Sequence, residues 1–499
     1  MIKKVLTVIL VLTVVVPLAV WGMSGARVSA ATGYSLIGNT LTITGTGDME
    51  DYREAKNTPW YNDRSKIREV VISNGVTSIG KNAFAGTTVM DVTISNTVTK
   101  IGESAFSGCK SLTGIVMPNS ITQIGKDAFN TCTSMTSVTL SNKLEAIPDK
   151  AFYSCSALKK ITIPSSVKSI GYQAFLRCGN LDVTFSEGLE TIGDWAFGGA
   201  ATYEVGIINE VLTIPDSVTS IGEYAFASNS HIVKVVTGAN LKTIGTSAFN
   251  TDKNLYTVDL SRSAKLNSIG TRAFYGTVIA SITIPDSVTT VGTEVFYECR
   301  KLTTAKLSKN QTSISDRMFS QTALSSIEIP SSVTSIGKYA FENTKLTKVV
   351  VPSSVTDLGQ FAFTNCGDMT AADISLNRTM VLGIAVFSGC KMDHIHIPEG
   401  RDPSYYMSNG IGWPAEYCFF GIGSDGKCPA AICPFREGAG AVGDVNGDGK
   451  LNNADIILLG RAYMAGDTAK YLSVADMNND GRITNADIIL LGRLYMTGK

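Results

Sequence analysis

Two twelve-residue stretches near the C-terminus carry the strongest chemical signal in this sequence: DVNGDGKLNNAD at 444–455 and DMNNDGRITNAD at 476–487. Each places Asp, Asn and Asp at loop positions 1, 3 and 5, Gly at 6 and a carboxylate at 12. The residues are Asp444, Asn446, Asp448 and Asp455 in the first loop, and Asp476, Asn478, Asp480 and Asp487 in the second. A hard cation takes about six to eight oxygen ligands from a compact loop, so this pattern points to calcium, one ion per loop. Gly449 and Gly481 permit the sharp turn that brings the oxygens together. Lys450 and Arg482 would contribute only backbone carbonyls, and Asn452 and Thr484 stand where a water often mediates. The competing reading, two acidic turns without metal, has to explain a duplication at a spacing of 32 residues.

A helix is expected to leave each loop, through NADIILLGRAYMAG and NADIILLGRLYMTG, whereas the Gly/Ala stretch at 438–443 does not favour a helix entering the first. This duplicated loop-plus-exit-helix unit, residues 443–499, resembles a type I dockerin. Dockerins are small all-α calcium-binding modules that plug enzymes and other proteins into the cohesins of a cellulosome scaffold. The resemblance implies cohesin contacts at loop positions 10 and 11 and on the exit helix. Here those are Asn453, Ala454, Gly460 and Arg461, with Asn485, Ala486, Gly492 and Arg493 in the second half. Many family members carry a hydroxyl pair and a Lys-Arg pair at these places, from which Asn-Ala and Gly-Arg depart.

Most of the remaining chain is one repeated unit, exemplified by ITIPSSVKSIGYQAFLRC at 161–178. Its Phe recurs at 84, 106, 129, 152, 175, 197, 226, 249, 274, 296, 319, 341, 363 and 387, a spacing of 22 to 25 residues with one step of 29. Periods of this length predict a solenoid. Ile161 and Ile163 alternate with Lys160 and Thr162, which predicts one short parallel strand per turn with one face inward. Pro164 should end the strand, and Gly171 should allow a tight turn before Phe175 points into the coil. A single unit cannot enclose its Phe, but stacked units can. At about 4.8 Å per turn the stack would be on the order of 65 Å long.

The IPxSVTxIGxxAFxxCxxL pattern resembles the BspA-type leucine-rich repeats of bacterial surface and secreted proteins, a resemblance covering about two thirds of the chain. It implies a leucine-rich-repeat solenoid over 67–400, and family members are associated with adhesion to host proteins or other cells. Around it, 31–66 reads as an N-terminal cap in which Leu41, Ile43, Trp60 and Tyr61 would close the first open face. A small carbohydrate patch on Trp60 and Tyr61 is the alternative. Residues 401–442 read as a C-terminal cap and linker, with Tyr405, Trp413, Tyr417, Phe419 and Phe420 to close the last turn. Residues 1–30 read as a secretory signal: Lys3 and Lys4 precede an apolar run and Val28-Ser29-Ala30 offers small residues for cleavage. An uncleaved anchor is the competing reading. A secreted, extracellular protein attached to the cell surface or a cellulosome through its dockerin is the expectation, with no membrane span after signal removal.

Of ten cysteines, Cys109, Cys132, Cys155, Cys178, Cys299, Cys366 and Cys390 each sit three residues after a repeat Phe. Thr87, Ala200, Asn229, Asp252, Thr277, Thr322 and Thr344 take the same slot elsewhere, so it reads as structural and its cysteines as free thiols, with disulfides between stacked neighbours as the alternative. Cys418, Cys428 and Cys433 lie outside the slot, and in an exported chain one pair of them is expected to bridge.

Lys plus Arg equals Asp plus Glu at 43 each, so no net field argues for nucleic acid or an anionic membrane as partner. The outward strand positions, among them Asp91, Thr93, Gly114, Val116, Ser137, Thr139, Lys160, Thr162, Ser281, Thr283, Lys348 and Val350, form the expected binding surface. They show no Tyr/Trp stripe, no paired carboxylates and no Ser/His/Asp set. His394 and His396 would share the outer face of one strand, where a surface metal site competes with two solvated side chains. The step between Phe197 and Phe226 carries an insertion expected to bulge from the coil. The combined expectation is a non-catalytic protein, its solenoid binding an unknown protein or polymer and its dockerin binding a cohesin. An enzyme with an unrecognised site and a structural spacer are the alternatives.

Overall fold

The computed structural model describes residues 32–199, 206–374, 380–392, 394–397, 416–419, 456–459, 463 and 488–489. Its described part from residue 67 onward is a series of stacked turns, nearly all of which carry the expected strand, residues 326–328 being an exception. In Lys160–Ile163 burial alternates along the strand, with Ile161 and Ile163 inward and Lys160 and Thr162 outward. The next strand lies parallel and in register, Lys160 opposite Asp182 and Ile163 opposite Phe185. Repetition therefore stacks like on like. The stack begins with an antiparallel hairpin, Thr32–Ile37 with Thr40–Gly45, closed by Gly38-Asn39 with Gly38 at φ 61°.

Every repeat Phe is buried, and the fourteen rings form one column with successive centroids 5.0–5.7 Å apart. Burying one such side chain stabilises by roughly 1.5–3 kcal/mol, a gain that exists only because a neighbouring turn covers each ring face. Trp60 adds one more ring, 5.6 Å from Phe84, and its indole N–H donates to the Ala83 carbonyl at 2.9 Å.

Each turn also forms a second strand two residues long just before the repeat glycine, for example Ser169–Ile170 opposite Thr191–Ile192. Along this column the glycine N–H donates to the preceding turn, as Gly245 N–H does to the Ile221 carbonyl at 2.8 Å. The glycine is there because the turns approach so closely. A Cβ on Gly171 would lie 2.6 Å from the Asp149 nitrogen, and one on Gly292 2.3 Å from the Thr271 nitrogen, inside any real carbon contact. This corrects the expected role of Gly171, which does not have positive φ. The tight turning falls instead to the second residue before each Phe and, in nearly every turn, the second after it, such as Gln173 at φ 55° and Arg177 at φ 61°.

The glycine column is interrupted twice, by Pro148 and Ser315, and the short-strand sheet breaks at those two turns. Pro148 has no N–H to give the Ile124 carbonyl. At Ser315 the hydroxyl, not the amide, reaches the Val291 carbonyl, at 2.5 Å.

Candidate functional site

The residues predicted to bind calcium, Asp444, Asn446, Asp448, Lys450, Asn452, Asp455, Asp476, Asn478, Asp480, Arg482, Thr484 and Asp487, lie outside the described residues. So do Asn453, Ala454, Gly460, Arg461, Asn485, Ala486, Gly492 and Arg493. The donor set is nonetheless all oxygen and rich in carboxylate, which is what a hard cation requires. The chain is helical at 456–459 and again at 488–489, immediately after each loop. Leu459 is buried, whereas Ile457 and Ile489, which occupy the same place in the two copies, are 47% and 57% exposed. An exposed Ile at matching points of a duplicated helix is a contact candidate that reading the polar loop positions missed. The identity of ADIILLGR in both copies was the signal available.

On the solenoid, Asp91, Thr93, Val116, Ser137, Thr139, Lys160, Thr162, Ser281, Thr283, Lys348 and Val350 are exposed as expected, and Gly114 is half-buried. The strand face is therefore a polar, weakly charged surface whose ion pairs, such as Lys160 with Asp182 at 3.5 Å, are solvent-screened and contribute little. Aromatic side chains do line up, but on the arc that carries the Phe column. Trp195 stacks on Tyr224 at 4.3 Å and Tyr339 on Phe361 at 5.0 Å, with the Arg317 guanidinium 4.4 Å over the Tyr339 ring. All four aromatics hold φ between 51° and 58°, a left-handed conformation that costs a non-glycine residue roughly 1–2 kcal/mol. Stacking between turns offsets part of that cost.

The seven slot cysteines are free thiols, buried except for half-buried Cys390. Most donate to the Phe carbonyl of the preceding turn, as Cys132 does to Phe106 at 3.2 Å. Burial pushes the Cys109 thiol up to about 11 and those of Cys155 and Cys299 up to about 12, so they are un-ionised and inert as nucleophiles. Threonine serves the slot by donating to its own turn, Thr87 to Phe84 at 2.8 Å. Cys418, Cys428 and Cys433 have no described side chains.

Asp252 occupies the same slot and is fully buried. One carboxyl oxygen accepts the Asn229 N–H at 2.7 Å and the other has no partner. Burial raises its pKa well above the ordinary 3.8, so the folded protein holds it neutral where the unfolded chain ionises it. The folded state then binds the extra proton, and stability falls as pH rises from about 4 towards the raised value, by at most about 1.4 kcal/mol per pH unit. Asp252→Asn should remove this slope and be the more stable form at pH 7, while near pH 3.5 the two should match. Its amide can donate as that of Asn229 does to the Phe197 carbonyl at 3.1 Å. Urea unfolding across a pH series provides the check; a wild-type slope unchanged in the variant would contradict it.

The expectation of two solvated histidines is corrected for His396. It is 3% exposed and its Nδ1 lies 3.3 Å from the Asp373 carboxylate, because Glu416–Phe419 forms a further parallel strand with Cys418 opposite His396. The side chain of His394 is not among those described. Among the described residues no group of three or more His, Cys, Asp or Glu could hold a metal. The core of the insertion, 200–205, lies outside the described residues; beyond it Ile207 is buried and bridges to Leu181. No helix among the described residues is long and apolar enough to cross a membrane.

A coil built of one short parallel strand, a glycine-dependent close approach and a buried phenylalanine per turn defines a leucine-rich-repeat solenoid. The family model for the BspA type leucine rich repeat region matches 57–182, 182–303 and 289–403, and the chain belongs to that family. The type I dockerin domain model matches 442–494. Among solved structures, a leucine-rich repeat protein from Bacteroides ovatus is 22% identical over 80% of this chain and 100% of its own, with a TM-score of 0.52, which supports the fold. Others include a leucine-rich repeat protein from Eubacterium ventriosum (25% identity, 65% of this chain and 95% of that one, TM-score 0.33). The pneumococcal vaccine antigen PcpA is 21% identical, covering 67% of this chain and 92% of its own, TM-score 0.39. No curated protein sequence matched. The C-terminal domain is thus a dockerin, a calcium-binding type of module that binds cohesins.

Proposed function

We propose that this chain is a secreted, non-catalytic binding protein that a cohesin holds on a cellulosome-type scaffold while the solenoid engages a protein or polymer ligand. The observation that carries this reading is a type I dockerin at 442–494 on a chain whose other fold is a repeat solenoid. In this reading two calcium ions are held by Asp444, Asn446, Asp448, Asp455 and the Lys450 carbonyl, and by Asp476, Asn478, Asp480, Asp487 and the Arg482 carbonyl. Asn452 and Thr484 act through water. Bound calcium supplies the charge that lets so many carboxylates share a small fold. The loop pairs Asn453-Ala454 and Asn485-Ala486 and the helix pairs Gly460-Arg461 and Gly492-Arg493 face the cohesin, joined by the exposed Ile457 and Ile489.

Residues 1–30 act as the export signal, and the polar outer strands supply an extended recognition surface of the kind solenoids use. The test is to display the full chain on a cohesin in calcium and probe protein and glycan arrays, with a parallel hydrolysis screen on plant polysaccharides and peptides. A saturable ligand without turnover supports the reading. Turnover would favour an enzyme, and no ligand a spacer.

A further inference from the structure

The N-terminal hairpin leaves one edge of the long-strand sheet open. Thr32–Ile37 is the outermost strand, and its one neighbour among the described residues is Thr40–Gly45. Ladder parity tells which of its backbone groups are spare. The Asn39 carbonyl accepts the Glu69 N–H at 3.2 Å and the Ile43 carbonyl the Ser73 N–H at 2.9 Å, so Asn39, Leu41 and Ile43 face the coil. Thr40, Thr42 and Thr44 therefore face the first strand, opposite Ile37, Ser35 and Gly33. A two-residue loop closing on Ile37 and Thr40 demands the same pairing. The N–H and C=O groups of Thr32, Tyr34 and Leu36 are left pointing outward, with no backbone partner among the described residues.

Open sheet edges are usually blunted by a charge, a proline or a bulge. This one has none of them. The strand TGYSLI lacks charge and proline, no charged residue occurs anywhere in 28–47, and the register with Thr40–Gly45 runs unbroken. The inward side chains also lack a cover. Leu41 and Ile43 are fully buried, whereas Leu36 and Tyr34, which lie opposite them on the outermost strand, are half-buried and 49% exposed. The Tyr34 ring stands edge-on to Trp60 with centroids 5.4 Å apart, so it extends the core outward by one level and ends it there.

We propose that this edge joins two copies of the chain, their first strands pairing antiparallel about a two-fold axis at Tyr34, so that the sheet runs from one coil into the other. An antiparallel strand is its own complement under a two-fold axis. Placing Tyr34 opposite Tyr34 sets Thr32 of each copy opposite Leu36 of the other, and every spare N–H and C=O meets a counterpart. Neutrality makes a second copy the fitting occupant, because a symmetric pairing brings each side chain near its own twin, where any charge would repel itself. Tyr34 and Leu36 of each copy then cover those of the other. One strand pair buries less than the about 1,200 Å2 of a standard interface, so the dimer is weak in free solution and is populated where copies are held close together on one scaffold. The inference goes beyond the proposed function and takes one point from it, the removal of residues 1–30, which frees the strand at Thr32.

Sedimentation equilibrium of the chain from Ala31 to Lys499 in calcium, carried into the millimolar range, should show a monomer–dimer equilibrium. In the proposed register position 33 of one copy lies opposite position 35 of the other. The double variants Gly33→Lys/Ser35→Lys and Gly33→Glu/Ser35→Glu therefore oppose like charges directly, and each should dimerise at least about fivefold more weakly, while an equimolar mixture of the two should recover the affinity. Folding should survive, because a Cβ on Gly33 meets only the Thr44 hydroxyl, at 3.5 Å. Hydrogen exchange on the unaltered chain supplies a second readout: Tyr34 and Leu36 amides should exchange fast in dilute solution and slow as the dimer fills, while Ser35 and Ile37, bonded within the hairpin, stay slow throughout. A chain monomeric over the whole range would overturn the inference, and so would a dimer that leaves Tyr34 and Leu36 unprotected and is indifferent to both charge variants. The intact mass of the exported chain separates this from the reading beneath it. Retention of residues 1–30 would sink both, whereas a cleaved but monomeric chain sinks this inference alone.

Discussion

Changing Asn453, Ala454 and Arg461 together should leave cohesin affinity within about a factor of two, and changing Asn485, Ala486 and Arg493 as well should abolish binding. The two halves repeat Asn-Ala and Gly-Arg at the same offset from their loops, and Ile457 and Ile489 are exposed at matching points. A half-turn of the module would then exchange one binding face for the other. Two equal modes, occupied one at a time, contribute only a statistical factor of about two when one is lost. Both modes need calcium, because ion binding supplies much of the folding free energy of so small a domain. Calorimetric titration of the full chain against a panel of cohesins, with and without chelator, measures all of this. A single-half variant that already loses orders of magnitude would refute the dual mode, and undiminished affinity in chelator would refute the calcium requirement.

Phe175→Ala is expected to destabilise the solenoid by about 3–5 kcal/mol, since it empties a fully buried site between rings 5.3 and 5.0 Å away and neighbouring turns cannot collapse into it without breaking their ladders. Gly245→Ala should be damaging for a different reason. Its Cβ would stand 2.6 Å from the Gly222 carbonyl carbon and 2.8 Å from the Glu223 nitrogen, so the turn must move off and give up its bond to Ile221. Overpacking of this kind costs roughly 1–3 kcal/mol. Denaturant unfolding followed by tryptophan fluorescence separates the two. The Phe variant should lower the midpoint with the slope retained, whereas the Gly variant, by uncoupling neighbouring repeats, should also lower the slope. A loss under about 1 kcal/mol for Phe175→Ala would mean the ring column is not what holds the turns together.

What the residues determine by themselves is whatever is settled within one turn or one loop. Ile161, Ile163, Val167 and Phe175 face inward because strand alternation and the position of Pro164 decide it locally, and fourteen copies repeat the decision. The slot of Cys109 and Thr87 is legible for the same reason, and so are the oxygen donors of the two calcium loops, whose chemistry lies in residue type and spacing.

The spacing between turns is decided only in the folded stack. Gly171 looks like a turn residue in sequence, yet its missing Cβ makes room for Asp149, 22 residues earlier, while the left-handed backbone sits at Gln173 and Arg177. His396 looks exposed until Glu416–Phe419 is laid beside it. Ser315 looks like a mild substitution, yet the short-strand sheet breaks at its turn, where its hydroxyl and not its amide reaches the Val291 carbonyl. Close packing between turns makes a single carbon at one turn a matter for its neighbour, and no pattern confined to one repeat contains that information.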